Sequence, residues 1–237
     1  MGDKLYDFFL SIGEDVYQSL IYDNRYKFVL EGLFNTVVIA LFSVLIGVLI
    51  GIIIAFIRNH YELNGKGKVL NFFAKSYVNI IRGTPVILQL MIIYYVVFKS
   101  VDVSVILVGI LAFGINSGAY VSEIIRAGIQ SIPIGQSEAG YALGMNYPQV
   151  MGYIVLPQAI RNILPALCNE FITLLKETSV GAYIGIIELT KASDIIASRT
   201  YDYFFPLILI AIIYLIMTLG LSHLVGILER KLTYVRG

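Results

Sequence analysis

The sequence predicts an all-α, polytopic membrane protein, and three observations carry that expectation. Hydrophobic residues fill 58% of the 237 positions and charged residues only 14%, against about 25% charged in an ordinary soluble domain. Mean hydropathy is +0.81. Uncharged runs at 32–57, 103–122 and 203–228 each reach the roughly 20 apolar residues that a helix needs to cross hydrocarbon. A chain with so few polar groups cannot cover a water-facing surface.

Two further spans are less clean. Residues 76–98 are interrupted by Arg82, Gly83 and Pro85, and 160–180 contain Arg161, Pro165, Glu170, Lys176 and Glu177. This makes five transmembrane helices in one membrane domain, 1–237, with a membrane core at 28–229. Orientation follows the positive charges near span ends. The first connection carries Arg58, Lys66, Lys68, Lys75 and Arg82 against Glu62, and the tail carries Arg230, Lys231 and Arg236. The other side mixes Lys and Arg with many acids, among them Asp23, Glu31, Asp102, Glu188, Asp194 and Asp202. The N-terminus is therefore expected outside and the C-terminus in the cytoplasm. No basic segment followed by an apolar core marks a cleavable leader, so the first span would serve as the insertion signal.

At the N-terminus, Leu5, Phe8, Phe9, Ile12, Val16, Leu20 and Ile21 recur at helical spacing between acidic and polar residues. The spacing predicts an amphipathic helix on the outer membrane surface over 1–27, with a mobile acidic leader as the alternative. Gly65-Lys66-Gly67-Lys68 reads as a short turn. It is not a phosphate loop, because no glycine stands five residues before a Gly-Lys-Ser/Thr string. His60 and His223 are far apart and no H-E-x-x-H occurs, so neither a metal site nor a catalytic residue is expected. Cys168 lies in an apolar stretch and reads as an inert buried thiol. The net charge of +1 argues against a nucleic acid partner.

After the third span, Pro133 and Gly135 end the helix, and a short cytoplasmic helix is expected over 135–145. Ala139, Gly140, Ala142 and Gly144 leave one side nearly bare, with Tyr141 and Leu143 as larger contacts. Gly144 suits a left-handed helix end. Asn146 and Pro148 suit the cap and first turn of the next helix. By residue type alone, this is either a docking surface for another protein or an ordinary helical hairpin.

Glu138-Ala139-Gly140, then Gly144, then Ile154-x-Leu156-Pro157 resembles the EAA loop of the membrane subunits of bacterial ABC importers. The resemblance extends through Arg82-Gly83-Thr84-Pro85, Gln89, Gly114-Ile115-Asn116-Ser117-Gly118-Ala119-Tyr120, Glu123, Arg126, Asn169-Glu170-Phe171 and Lys176-Glu177-Thr178-Ser179. It covers 30–228 and is to the polar amino acid permeases, the importers of histidine, glutamine, glutamate, arginine and opines. Gly140 departs from a pattern that often has alanine. The resemblance implies a type I importer in a bacterial cytoplasmic (inner) membrane. A second membrane subunit, identical or paralogous, would pair with this chain. Two cytoplasmic ATPases would bind the ATP and Mg, and an extracytoplasmic binding protein would deliver the amino acid. The permease would need no cofactor and would work by alternating access. Gly135, Glu138, Ala139, Gly140, Ala142, Leu143 and Gly144 would dock the ATPase.

Polar groups inside a span usually face a cavity or another helix. Asn116, Tyr120 and Glu123 share one face of the third span; Asn162, Asn169, Thr173 and Lys176 share one face of the fourth, beside Glu170. Gly83, Thr84 and Pro85 break the second span, because the residue before proline leaves the helical region. Gln89, Asn116, Tyr120, Asn169, Glu170 and Thr173 are thus either a solute site near the break or glue between helices. Glu170 needs a partner, which is either a cationic solute or Lys176 or Arg161. A basic amino acid is the first expectation for the solute and glutamine the second. An ion-coupled secondary transporter or channel without an ATPase is the alternative; ATP-driven uptake separates the two.

Overall fold

The computed structural model describes residues 13–234. Among them every regular element is a helix. A helical turn at Tyr17–Ile21 leads into Tyr22–Asn24, where Asp23 (φ 55°) and Asn24 (φ 53°) adopt the left-handed conformation. Arg25 donates to the Gln18 carbonyl at 2.6 Å and fastens this reversal. The expected amphipathic helix over 1–27 is therefore interrupted before its end, and its first 12 residues lie outside the described residues. Val16, Tyr17, Ile21 and Tyr22 are exposed.

Helix α1, Tyr26–Asn64, runs well beyond the uncharged stretch at 32–57. Its 39 residues span about 58 Å at 1.5 Å per residue, roughly twice the hydrocarbon thickness. It ends where Gly65 (φ 64°) takes the left-handed conformation that glycine adopts without strain.

The expected second span is two helices, α2 (Lys68–Gly83) and α3 (Val86–Ile92), the latter continued by a π turn at Ile93–Val97. They meet at 109°. Thr84 is extended (φ −124°, ψ 146°) because it precedes Pro85. Helix α2 is amphipathic, presenting Val69, Leu70, Phe72, Phe73 and Ile80 outward and burying Ala74 and Val78.

Helix α4, Val105–Gln130, is the central element. Its span is 61% buried within the chain, against 11% for the final helix. It packs on α1 through small residues from both sides. A Cβ on Gly47 would sit 2.7 Å from Ser117 Oγ, and one on Gly114 or Gly118 would sit 2.7 Å from the Cγ2 of Ile46 or Ile50. Gly51 meets Val121 in the same way. Such contacts bring backbones together and are a common solution for helices in lipid.

Helix α5, Ile134–Ala142, follows a three-residue corner. Then a continuous helical run, Tyr147–Ile184, begins with Asn146 and Gln149 in a capping box and contains α6, Leu156–Glu177. It starts well before the expected boundary at 160. Helix α7, Leu189–Thr200, is capped by Glu188, whose carboxylate accepts from the Thr190 and Lys191 amides at 2.7 and 2.6 Å. The Tyr214 hydroxyl donates to the same group. Glu188, counted among the acids of the outer side, is fully buried. Burial pushes its carboxyl above the usual range, and these bonds oppose that shift. Helix α8, Phe204–Tyr234, closes the fold.

Among the described residues four helices are long and apolar enough to cross a membrane, and the bent α2–α3 pair makes a fifth if it counts as one span. The core gathers Ile39, Leu90, Phe113, Leu174, Leu175 and Ile186 from α1, α3, α4, α6 and the turn before α7. One end of the bundle joins the start of α1 to α7: Asn35 donates to the Ile187 carbonyl at 2.8 Å. The other end joins the end of α1 to the ends flanking α5: Arg126 reaches Glu62 at 2.6 Å, and Asn59 donates to Tyr147 at 3.3 Å.

The α1–α4 contact leaves no room for added side chains. Gly118→Val is expected to destabilise the fold by about 1–3 kcal/mol through overpacking. A thermal or denaturant melt of the purified protein checks this; an unchanged midpoint would show that the two helices can part freely.

Candidate functional site

Helix α5 starts at Pro133 and ends with the Gly144 amide bonded to the Tyr141 carbonyl at 2.9 Å, Gly144 having φ 80°. The expected left-handed end is present. Ile134 is 76% exposed and Leu143 82%, so these apolar side chains are offered outward. Glu138, Ala139, Tyr141 and Ala142 are exposed as well. Gly135 and Gly144 have open space where a side chain would stand. Gly140 differs: it is buried, and a Cβ there would come within 2.7 Å of Ile154 and 2.9 Å of Val150. Its smallness serves packing onto the next helix of its own chain. The outward surface therefore consists of the other expected docking residues.

The helix break is held by Gln89. Its amide nitrogen donates to the Ile81 carbonyl at 2.8 Å, the Thr84 carbonyl at 3.1 Å and the Thr84 hydroxyl at 2.7 Å. Its amide oxygen accepts from Asn116 at 2.9 Å. The carbonyls that Pro85 orphans are thus met by a side chain one turn onward, which in turn is fixed to α4. Gln89 and Asn116 come together as expected, but here they bind each other and the backbone.

The other expected solute residues separate. Glu170 accepts from Ser117 at 2.8 Å, and among the described residues no ion pair joins it to Arg161 or Lys176. Ser117 is wedged between Gly47 and Glu170. Thr173 donates to the Asn169 carbonyl of its own helix at 3.1 Å. Asn169 lines a cavity of about 370 Å³ with Arg161, Asn162, Pro165, Ala166, Glu229 and Leu232. Asn162 donates to Ser131 at 2.7 Å. Tyr120 lies under the Arg82 guanidinium, 5.4 Å from ring centroid to Cζ.

Glu123 falls on the Asn116–Tyr120 face yet belongs to an ionic cluster. Arg58 of α1 pairs with one carboxylate oxygen, which Arg126 also reaches at 3.1 Å. Arg82 approaches the other oxygen at 3.8 Å, and Arg126 bridges onward to Glu62. Residue typing placed Arg58, Glu62 and Arg82 in a basic loop and missed this cluster. The signal available was spacing: Arg58 and Glu62 stand four apart, Glu123 and Arg126 three apart, so each pair shares a helix face. Cys168, half-buried, lines an apolar groove of about 410 Å³ between α1, α6 and α8.

Residues 47–234 match the family model described as a binding-protein-dependent transport system inner membrane component. A Rickettsia typhi protein named as a glutamine transport system permease, GlnP, is 40% identical over 207 residues, covering 86% of this chain and 93% of its own. The arginine transport system permease protein ArtQ of Bacillus subtilis is 38% identical over 207 residues, covering 86% and 92%. The crystal structure of an amino acid ABC transporter with histidines superposes with a TM-score of 0.81 at 44% identity, covering 87% of this chain and 94% of that one. The MetNI methionine ABC transporter shares the fold, with a TM-score of 0.68 at 20% identity. These relatives favour the importer over an ion-coupled carrier. The chain belongs to the binding-protein-dependent transport system inner membrane components, and it is a membrane-spanning permease subunit of an amino acid ABC importer.

Proposed function

We propose that this chain forms half of the translocation pathway of a type I importer in a bacterial cytoplasmic membrane. It would pair with a second membrane subunit and two cytoplasmic ATPases, and receive a polar amino acid from an extracytoplasmic binding protein. The basic end bearing Arg58, Lys66, Arg126 and Arg230 lies in the cytoplasm, and the N-terminus lies outside. ATP and Mg belong to the ATPase partners; the chain itself needs no cofactor and performs no hydrolysis.

The observation that carries this reading is α5. It projects Ile134, Tyr141 and Leu143 outward at the end of the most buried helix, between two glycines with open space beside them. A helix that exposes apolar residues at a cytoplasmic corner has a partner surface to meet. Seated in a cleft of the ATPase, α5 would transmit its movement directly to α4 and α6.

The solute is placed between α4 and α6 near the Thr84–Pro85 break, beside Gln89, Asn116, Tyr120, Asn169, Glu170 and Thr173. Relatives named for glutamine and arginine transport support a polar amino acid. Half-buried Glu170, bonded to Ser117 and, among the described residues, ion-paired with no lysine or arginine, favours a basic side chain.

Substituting Gly144→Val or Ala139→Trp is expected to abolish ATP-driven uptake while membrane insertion persists, because bulk prevents close approach of the ATPase. Normal uptake in either variant would remove the docking role. The isolated chain is expected to hydrolyse no ATP, as a phosphate-release assay on contaminant-free protein would register. Glu170→Gln is expected to weaken basic amino acid uptake about ten- to a hundredfold, the value of one charged hydrogen bond, and neutral uptake far less. Unchanged basic uptake in an assembled complex would leave Glu170 as a packing residue.

A further inference from the structure

Three arginines surround Glu123, and they are not equivalent. Arg58 and Arg126 are each 13% exposed and grip one carboxylate oxygen. Arg82 is 46% exposed and reaches the other oxygen only at 3.8 Å, beyond hydrogen-bond length. Counting Arg58, Arg82 and Arg126 against Glu62 and Glu123 leaves one net positive charge. That charge falls on Arg82, since the other two guanidinium groups are engaged at short range.

Arg82 opens onto a cavity of about 380 Å³ lined by Val78, Asn79, Gly83 and Tyr120. This volume lies at the lower end for small-molecule pockets, about 300–1,000 Å³. The Arg82 Cζ lies over the Tyr120 ring, 5.4 Å from its centroid, a cation–π contact that occupies none of the guanidinium N–H donors. Asn79 adds an amide beside them. Three residues earlier on α4, Ser117 holds the Glu170 carboxylate. Three residues correspond to about 4.5 Å of helix rise, so the α4 residues that touch Arg82 of α2 and Glu170 of α6 lie within one turn of each other.

We propose that Arg82, flanked by Asn79 and backed by Tyr120, is the carboxylate-recognising residue of the solute path. The inference rests on the reading that an amino acid passes beside the Thr84–Pro85 break. A planar guanidinium binds a carboxylate through two parallel N–H bonds. The long contact to Glu123 is weak enough for an arriving carboxylate to replace it, while Arg58 and Arg126 keep Glu123 neutralised. Every amino acid carries the α-carboxylate, so this position selects the class. Glu170, held by Ser117 of the same α4 helix, acts on the part of the molecule that differs among amino acids.

The test uses the permease co-purified with its partner subunits, in nanodiscs and without the binding protein. The probes are whichever radiolabelled standard L-amino acid binds the wild type best, and its carboxamide as competitor. The wild type is expected to bind the acid at least about tenfold more tightly than the amide. Arg82→Gln is expected to weaken the acid about ten- to a hundredfold and leave the amide unchanged, so that the two converge. Arg82→Lys, which keeps the charge but loses the fork, is expected to fall between, and it serves alone if Arg82→Gln does not assemble. Retained wild-type discrimination in these variants, or an equal loss for acid and amide, overturns the proposal and returns Arg82 to the ionic cluster. A wild-type complex that binds no amino acid overturns the solute-site reading together with this one.

Discussion

Close approach of α1 to α4 is the constraint on which the rest of the structure depends. Gly47, Gly51, Gly114 and Gly118 let the two backbones meet, and everything polar is positioned from that seam. It brings Arg58 to Glu123, and it wedges Ser117 against α1 while its hydroxyl serves Glu170 of α6. Helices in lipid gain little from burying apolar surface, because the tails are as apolar as the side chains. Dispersion at short range and a few interhelical hydrogen bonds must supply the cohesion. The glycine seam supplies the first and makes the second geometrically possible.

The bend between α2 and α3 obeys a different constraint. Backbone groups inside a membrane must be satisfied by protein or by water. Pro85 removes one donor and frees carbonyls of the preceding turn. Gln89 answers by donating to Ile81 and Thr84, and Asn116 fixes Gln89. The break is therefore stabilised by a side-chain substitute for helix bonds. It also explains why Asn116 is almost fully buried although it lies on the face expected to line the path.

Much of this was legible in sequence. The spans, the break at Thr84–Pro85, the left-handed Gly144 and the cap at Asn146 follow from local rules about hydropathy, proline and glycine. What escaped depends on which helix lies beside which. Glu188 counted only as one of the acids on the outer side, because nothing near it in sequence reports that Thr190, Lys191 and Tyr214 would enclose it. Gly140 looked like part of a bare docking face, but Ile154 and Val150 fold back onto it. Helical phase places Glu123 on one face with Asn116 and Tyr120, yet it joins an ionic cluster. Phase says which side a residue faces, and the arrival of Arg58 from α1 decides what it meets there. The polar residues of α6 divide for the same reason: Glu170 turns to Ser117 while Asn162 and Asn169 turn to the cavity beside Glu229.

The route from α5 into the membrane is short and stiff. Only Ser131, Ile132 and Pro133 separate α4 from α5. Ser131 bonds back to the Gly128 carbonyl at 2.7 Å and accepts from Asn162 of α6 at the same distance. Gly140 locks α5 against the start of the next helical run. A force applied at Leu143 therefore reaches α4 and α6 together, with little slack to absorb it. On α4 the first charged residues met are Arg126 and Glu123, whose partners lie on α1 and, through Arg82, on the helix that ends at the break. Long-range contacts of this kind carry motion only where an element has two discrete arrangements. The weak member of the cluster, Arg82 at 3.8 Å from Glu123, is the contact that can be made or lost without exposing a buried charge. Rigid helices and a tight seam move as units, and the ionic cluster gives them one loose joint beside the helix break.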